Sequence, residues 1–155
     1  IAGKSELIEQ IRKNPMKRAM RADKITLAVL EATLKLYENP ESLHKNLPLL
    51  RTLQLTDLEL HKRAERICAS LPTAYTSETV PSEVQIGSGA LPDQTIGSIA
   101  VKVTHPTLSP DNIAKALRAL DTPVVGRIRD DSILLDMRGA DHIDELCNQL
   151  SSMPL

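Results

Sequence analysis

Lys17, Arg18 and Arg21 crowd into the stretch PMKRAMRADKITLAVLEATLKLYE, directly ahead of a run of apolar residues. Fixed positive charge at the mouth of a packed element is an arrangement that holds an anion, and guanidinium forks suit carboxylate or phosphate oxygens. The same residues also suit a solvated face, because exposed charges contribute little by themselves. Two further cations could do chemistry: Arg127, flanked by Gly126 and Ile128, and Arg138, after the run SILLDM. An arginine inside a small sheet can clamp a carboxylate with two parallel hydrogen bonds. It can equally bridge to Asp130, Asp136 or Asp141, and the residues alone favour that structural bridge.

Other chemistry is thinly represented. The segment GSGALP at 87–92 could offer backbone N–H groups to an anion. It lacks the Lys-Ser/Thr of a phosphate-binding loop and reads as well as a tight strand connection. His44, His61, His105 and His142 show no metal-ligand spacing, and no Ser/His/Asp arrangement stands out. Cys68 and Cys147 lie far apart, which fits a small core residue and a reduced cytosolic setting better than a disulfide framework.

The elements that must position these residues follow from periodicity and punctuation. Ser5 reads as the cap of a helix over about 6–13, with Leu7, Ile8 and Ile11 inward, broken by Asn14-Pro15. A long helix is expected from about Asp23 to Glu38. It carries one stripe of Leu27, Leu30, Leu34 and Tyr37 and another of Ile25, Val29, Ala32 and Leu36. A helix apolar on two sides is expected between two layers. A short helix or turn falls within 41–54. Thr56-x-x-Glu59 is a capping box opening a helix to about Ser70 that Pro72 closes.

From Thr73 the pattern alternates as strands do. YTSETVPSEVQIG and TIGSIAVKV predict two strands around the loop GSGALPDQ. Ser109-Pro110 predicts a helix over 110–120, PVVGRIRDDSILLDMR two strands turning at Asp130-Asp131, and Asp141 a last helix. The expected fold is α+β: N-terminal helices over 1–54, then a small, mostly antiparallel four-stranded sheet covered by helices over 55–155.

Composition narrows the function classes. The chain has 155 residues, a net charge of −1, 41% hydrophobic residues and 25% charged residues. It has the profile of a globular protein with no global basic field for nucleic acid. Tyr37 and Tyr75 are its only aromatics, which argues against base stacking. No membrane span or leader is visible. A start at IAGKSE, without Met, suggests a piece of a longer protein.

NPMKRAMRADKITLAVLEATLKLY, LPLLRTLQL, VQIGSGALPDQTIGSIAVKV and PVVGRIRDDSILLDMR together resemble the C-terminal part of the bacterial selenocysteine synthases, the L-seryl-tRNA(Sec) selenium transferases. That resemblance implies a cytoplasmic, pyridoxal-phosphate-dependent enzyme of fold type I, built as a homo-oligomer of dimers. It would act on seryl-tRNA(Sec) with selenophosphate as selenium donor. Residues 1–54 would be the end of the large cofactor domain plus a linker helix, and 55–155 the C-terminal small domain. The resemblance turns the reading of the cations around. Arg18 and Arg21, three apart on a presumed helical turn, become the candidates for the donor anion, with Lys17 a weaker third and Arg127 weaker still. The cofactor lysine is expected upstream of Ile1, since Lys4 and Lys24 lie in no glycine-rich segment, and the tRNA-gripping portion is expected elsewhere too. The chain alone is thus expected to be inactive and to hold no pyridoxal phosphate. Two other readings stand beside this one: a related pyridoxal-phosphate lyase or aldolase acting on a small phosphorylated amino acid, and a non-catalytic α+β interaction module.

Overall fold

The computed structural model describes residues 2–87 and 91–154. They divide into two compact units, Ile1–Asn46 and Leu47–Leu155.

The first unit is helical. Helix α1 (Ser5–Lys13) is capped by Lys4 rather than Ser5, because the Leu7 and Ile8 N–H groups both donate to the Lys4 carbonyl at 3.1 Å. Asn14 ends α1 and starts a 3-10 turn, Pro15–Arg18. Helix α2 (Lys24–Leu36) is capped by Asp23, and the turn Pro40–Ser42 and helix α3 (Leu43–Asn46) follow. Neither α1 nor α2 buries a residue. Ile25 is 78% exposed and Leu30 52%, so the expected sandwiching of α2 is not made within this unit. A unit of this size has too little surface to enclose both stripes.

The second unit carries the core. Helix α4 (Pro48–Leu53) leads to α5 (Asp57–Ser70), whose capping box is complete: Thr56 Oγ1 accepts from the Glu59 N–H, and Glu59 accepts from the Thr56 N–H at 2.8 Å. The Thr56 hydroxyl and N–H hold the Glu59 carboxyl below its ordinary range. Strands β1 (Thr76–Gly87) and β2 (Leu91–Thr104) form a long antiparallel hairpin. Of the expected GSGALPDQ loop, residues 88–90 lie outside the described residues, and Leu91 onward is already strand, paired with Gly87. Helix α6 (Pro110–Arg118) starts at Ser109 as expected. Strands β3 (Arg127–Arg129) and β4 (Ser132–Asp136) complete a fully antiparallel sheet in the order β1-β2-β4-β3.

Asp130 and Asp131 both adopt positive φ, 49° and 52°. That is the two-residue hairpin turn that matches strand twist, and Asp tolerates it better than most residues. Strand β3 is shorter than the run PVVGRIR suggests, because the Val124 N–H donates to the Leu117 carbonyl at the end of α6 and not to β4. A 3-10 turn (Met137–Gly139) leads to α7 (Ile143–Ser151). That helix begins after His142 rather than at Asp141, whose carboxylate pairs with Arg51.

Alternation along β2 sends Ile99, Val101 and Val103 into the core with Ile133 and Leu135 of β4. Leu60, Ala64 and Ile67 of α5, Ile113 and Leu117 of α6 and Leu150 of α7 close over them, all 0–1% exposed. With no Phe or Trp, the one buried aromatic is Tyr75, whose hydroxyl donates to the Pro154 carbonyl at 3.0 Å. Burial pushes its phenol above the ordinary value.

Candidate functional site

Two caps bracket the cationic segment. Asn14 Oδ1 accepts from the Met16 N–H at 2.9 Å and seats Pro15 as the first residue of the 3-10 turn. Asp23 accepts from the Thr26 N–H at 2.8 Å and from the Thr26 hydroxyl at 3.0 Å. These bonds, the backbone N–H foremost, hold the Asp23 carboxyl below the ordinary carboxylate range. The caps fix both ends of the span from Asn14 to Asp23, eight residues between them, and consume the nearest C-terminal acid. The nearest N-terminal acid with an ion pair, Glu9, is engaged by Arg12 and Lys13. The side chains of Lys17, Arg18 and Arg21 are therefore left exposed, with no hydrogen bond or ion pair among the described residues.

The presumed helical turn does not extend across both arginines. Arg18 closes the 3-10 turn and Arg21 lies beyond it, in the link to Asp23. Arg18 and Arg21 are thus neighbours along one short bend, not on one helix face. Met16 and Met20 interleave with the cations and are 64% and 81% exposed. Their spacing in PMKRAM is visible in the sequence, yet nothing there distinguishes an exposed methionine from a core one.

The other two candidate arginines sit on the second unit, and both are engaged by the fold. Arg127 donates to Ser82 Oγ at 2.9 Å and to the Glu83 carbonyl at 3.4 Å, with Asp136 Oδ2 at 3.6 Å. Asp136 is the hub of that cluster. It accepts from Ser82 at 2.8 Å, from Ser98 at 2.6 Å and from the Arg138 N–H at 3.1 Å. The arrangement joins β1, β2, β4 and, through Arg127, β3 by side chains on the sheet face opposite the core. The structural bridge weighed for Arg127 is what the geometry contains.

Arg138 pairs with no carboxylate side chain. Its residue is 8% exposed. Nε donates to the Gly97 carbonyl at 2.9 Å and Nη1 to the carbonyls of Thr52, Leu55 and Leu53 at 2.8, 3.2 and 3.4 Å. The last carbonyls of a helix lack partners within it, and here a buried guanidinium supplies them for α4. Spacing alone could not reveal this, since acceptors on the main chain leave no trace in residue types. Beside Arg127 the β1–β2 hairpin, β3 and the start of α7 enclose an open groove of about 880 Å³, with Glu83, Val84, Val125 and His142 among its walls.

A pyridoxal-phosphate site requires a lysine in an enclosed, desolvated position. Eight of the lysines are exposed, and the ninth, Lys102, is half-buried and donates to Glu78 at 2.8 Å. None lines the groove. The residues of this chain do not by themselves fit that cofactor. Among the described residues no His, Cys, Asp or Glu cluster fits a metal ion, and no helix is long and apolar enough to cross a membrane.

A sequence profile described as L-seryl-tRNA selenium transferase matches residues 1–141, a span that holds the cationic bend and the Arg127–Arg138 hairpin alike. The chain belongs to the L-seryl-tRNA selenium transferase family. Among its curated relatives, the L-seryl-tRNA(Sec) selenium transferase of Hyphomonas neptunium is 42% identical over 140 residues, which are 89% of this chain and 30% of that protein. Those of Methylocella silvestris and Rhizobium meliloti are 44% and 40% identical over 144 residues, again 89% of this chain and 31% of each relative. The chain thus spans less than a third of the length of these selenium transferases. The resemblance read from the four stretches holds, and so does the α+β fold with its four-stranded antiparallel sheet.

Proposed function

We propose that this chain is the C-terminal part of a pyridoxal-phosphate-dependent selenium transferase that converts seryl-tRNA(Sec) to selenocysteinyl-tRNA(Sec) with selenophosphate as donor. Residues 1–54 are read as the end of a large domain and its linker helix, and 55–155 as a fold-type I small domain. The uncovered stripes of α2 support a linker that packs against further protein. The cofactor, its lysine and the tRNA grip are assigned to the rest of a cytoplasmic, oligomeric enzyme built from dimers, and the chain alone is inactive.

The observation that carries this reading is the unpaired trio Lys17, Arg18 and Arg21 on a bend held at both ends. Selenophosphate is a small polyanion. Two guanidiniums can take its phosphoryl oxygens in pairs, and Lys17 adds a point charge. Arg127, already engaged by Ser82, Glu83 and Asp136, has less left to offer an anion.

The test uses the full-length transferase. Arg18→Ala and Arg21→Ala should each raise the KM for selenophosphate about 10- to 100-fold, the value of a charge-assisted hydrogen bond. Absorbance of the bound cofactor should stay unchanged. A donor KM within about twofold of the parent in both variants, below the value of one such bond, would overturn the assignment.

A further inference from the structure

The donor site proposed above depends on how the backbone carries Lys17, Arg18 and Arg21, and Asn14 is where that stretch begins. Three of its groups are engaged at once. Its N–H donates to the Gln10 and Ile11 carbonyls at 3.1 and 3.2 Å and ends α1. Its carbonyl accepts from the Lys17 N–H at 3.1 Å. Its Oδ1 accepts from the Met16 N–H at 2.9 Å. The backbone of Asn14 is extended, with φ −71° and ψ 125°, the conformation that a following proline imposes. Pro15 has no N–H to offer, so that of Met16 is the first donor of the turn, and the Asn14 side chain takes it.

The turn that follows has few bonds of its own. Beyond those to Asn14, the Met16 carbonyl accepts from the Ala19 N–H at 3.0 Å and from the Met20 N–H at 3.3 Å. Arg18 is the last residue of this four-residue 3-10 turn, a geometry with poorer hydrogen bonds than the α-helix. The cap therefore sets what fraction of molecules presents Lys17 and Arg18 on a formed turn. An anion that binds only the formed turn has its apparent affinity scaled by that fraction. The kind of cap matters too. Asn, Asp and Ser cap about equally well, but Asp here would set a carboxylate in one turn with Lys17 and Arg18. At the far end the cap, Asp23, does carry charge, but its two oxygens accept from the Thr26 N–H and hydroxyl.

Resting on that reading of the donor site, we propose that Asn14 is its positioning residue. The carboxamide oxygen holds the turn that presents Lys17 and Arg18, and its neutrality keeps a competing anion out of the same turn. Asn14 acts through the backbone N–H groups of Met16 and Lys17, not by contact with the donor. The role is separable from general stability, because every residue of the buried core cluster belongs to the second unit. Loss of the cap leaves that core as it is.

Full-length transferase carrying Asn14→Ala, Asn14→Ser or Asn14→Asp tests this, with the KM for selenophosphate, the KM for seryl-tRNA(Sec) and kcat measured for each. Asn14→Ala should raise the selenophosphate KM about three- to tenfold, the value of a lost cap, with the seryl-tRNA KM and kcat at saturating donor unchanged. Asn14→Ser, which keeps an acceptor oxygen, should return the donor KM to within about twofold of the parent. Asn14→Asp keeps the cap and adds a charge. Its donor KM should exceed the parent's by about two- to threefold at low ionic strength, and the gap should close as salt is added. A residue that served structure alone would leave Asn14→Asp at the parent value at every salt concentration, and that result would overturn the proposal. So would an unchanged donor KM in Asn14→Ala, no recovery in Asn14→Ser, or a rise in both KM values together. Arg18→Ala separates these failures from failure of the donor site. If it raises the donor KM while the Asn14 variants do not, the anion site stands and the positioning role falls; if neither does, both fall.

Discussion

Replacing Arg138 by alanine is the sharpest test of how the second unit is held together. The guanidinium is buried and serves four carbonyls, two of them at short range: Gly97 at 2.9 Å and Thr52 at 2.8 Å. The contacts to Leu55 and Leu53, at 3.2 and 3.4 Å on the same nitrogen, are shared and weaker. A hydrogen bond to a charged group contributes about 1.5–3 kcal/mol, and the short pair alone gives about 3–6 kcal/mol. Water entering the space left by the side chain recovers part of that, so the net loss is about 3–4 kcal/mol. Domains of this size have about 5–15 kcal/mol in total.

With a urea dependence of about 1.5 kcal/mol per molar, the unfolding midpoint of the chain should fall by roughly 2 M. Far-UV circular dichroism follows it, since the chain has no tryptophan. Hydrogen exchange should show the amides of α4 losing protection before those of β2, because α4 loses its C-terminal partner while β2 keeps its ladder. Arg138→Lys should fall between parent and alanine, since one ammonium cannot span from Gly97 to Thr52 as the fork does. A midpoint for Arg138→Ala within about 0.5 M of the parent would refute the reasoning, for it would mean that these carbonyls find water at no cost.

Gly126→Ala should destabilise by about 1–3 kcal/mol in the same urea assay, because the added methyl would stand 2.7 Å from Ile133 Cγ2 and 3.0 Å from the Leu134 carbonyl oxygen and Leu135 Cδ2. Asp131→Gly should stabilise by up to about 1 kcal/mol, since the φ of 52° suits glycine better even than Asp, and thermal unfolding reads it. Tyr75 has its phenol raised above 10.0 by burial, so the folded state keeps the proton where the unfolded chain releases it. The phenol should therefore leave stability unchanged below pH 10 and lower it above, and the difference between parent and Tyr75→Phe should shrink with rising pH there. Glu59 has its carboxyl lowered from 4.5 by Thr56, so the unfolded chain takes up that proton first. The contribution of the capping box should be complete above that value and fade as pH falls through the lower folded value, and Glu59→Gln should remove this part of the acid slope.

Much of the second unit was legible because its signals are local. Thr56-x-x-Glu59, Ser109-Pro110 and Asp130-Asp131 each name a geometry by residue type, and all three are found where the sequence puts them. Alternation in TIGSIAVKV marked that run as strand, and it lies within β2, because a sheet covered on one side imposes period two. Local signals failed where a distant partner decided the outcome. Asp141 looks like a helix cap, but Arg51 takes its carboxylate and the helix starts after His142. Arg138 suits a carboxylate partner, with a structural bridge to a nearby Asp favoured, yet main-chain oxygens hold it. Helix α2 showed its two stripes plainly, but a stripe states only that cover is needed, not which chain provides it.

The arginines and lysines of this chain sort by what they already hold. Arg138 and Arg63 are spent on carbonyls, Arg51 and Arg66 on Asp141 and Asp144 of the α7 region, and Arg127 on Ser82 with Asp136 alongside. Of these, the buried Arg138 is the one whose replacement should alter stability first, since exposed ion pairs contribute little. Lys17, Arg18 and Arg21 have no hydrogen bond or ion pair among the described residues, although their backbone is fixed by a cap at each end. Keeping three like charges within five residues costs repulsion, and no ion pair among the described residues offsets it. A segment whose backbone is held at both ends and whose cations have no partner among the described residues is what the proposed anion site requires. That is why variants of Arg18 and Arg21 should leave the urea midpoint of this chain in place while weakening donor use in the full-length enzyme, the reverse of what Arg138 should do.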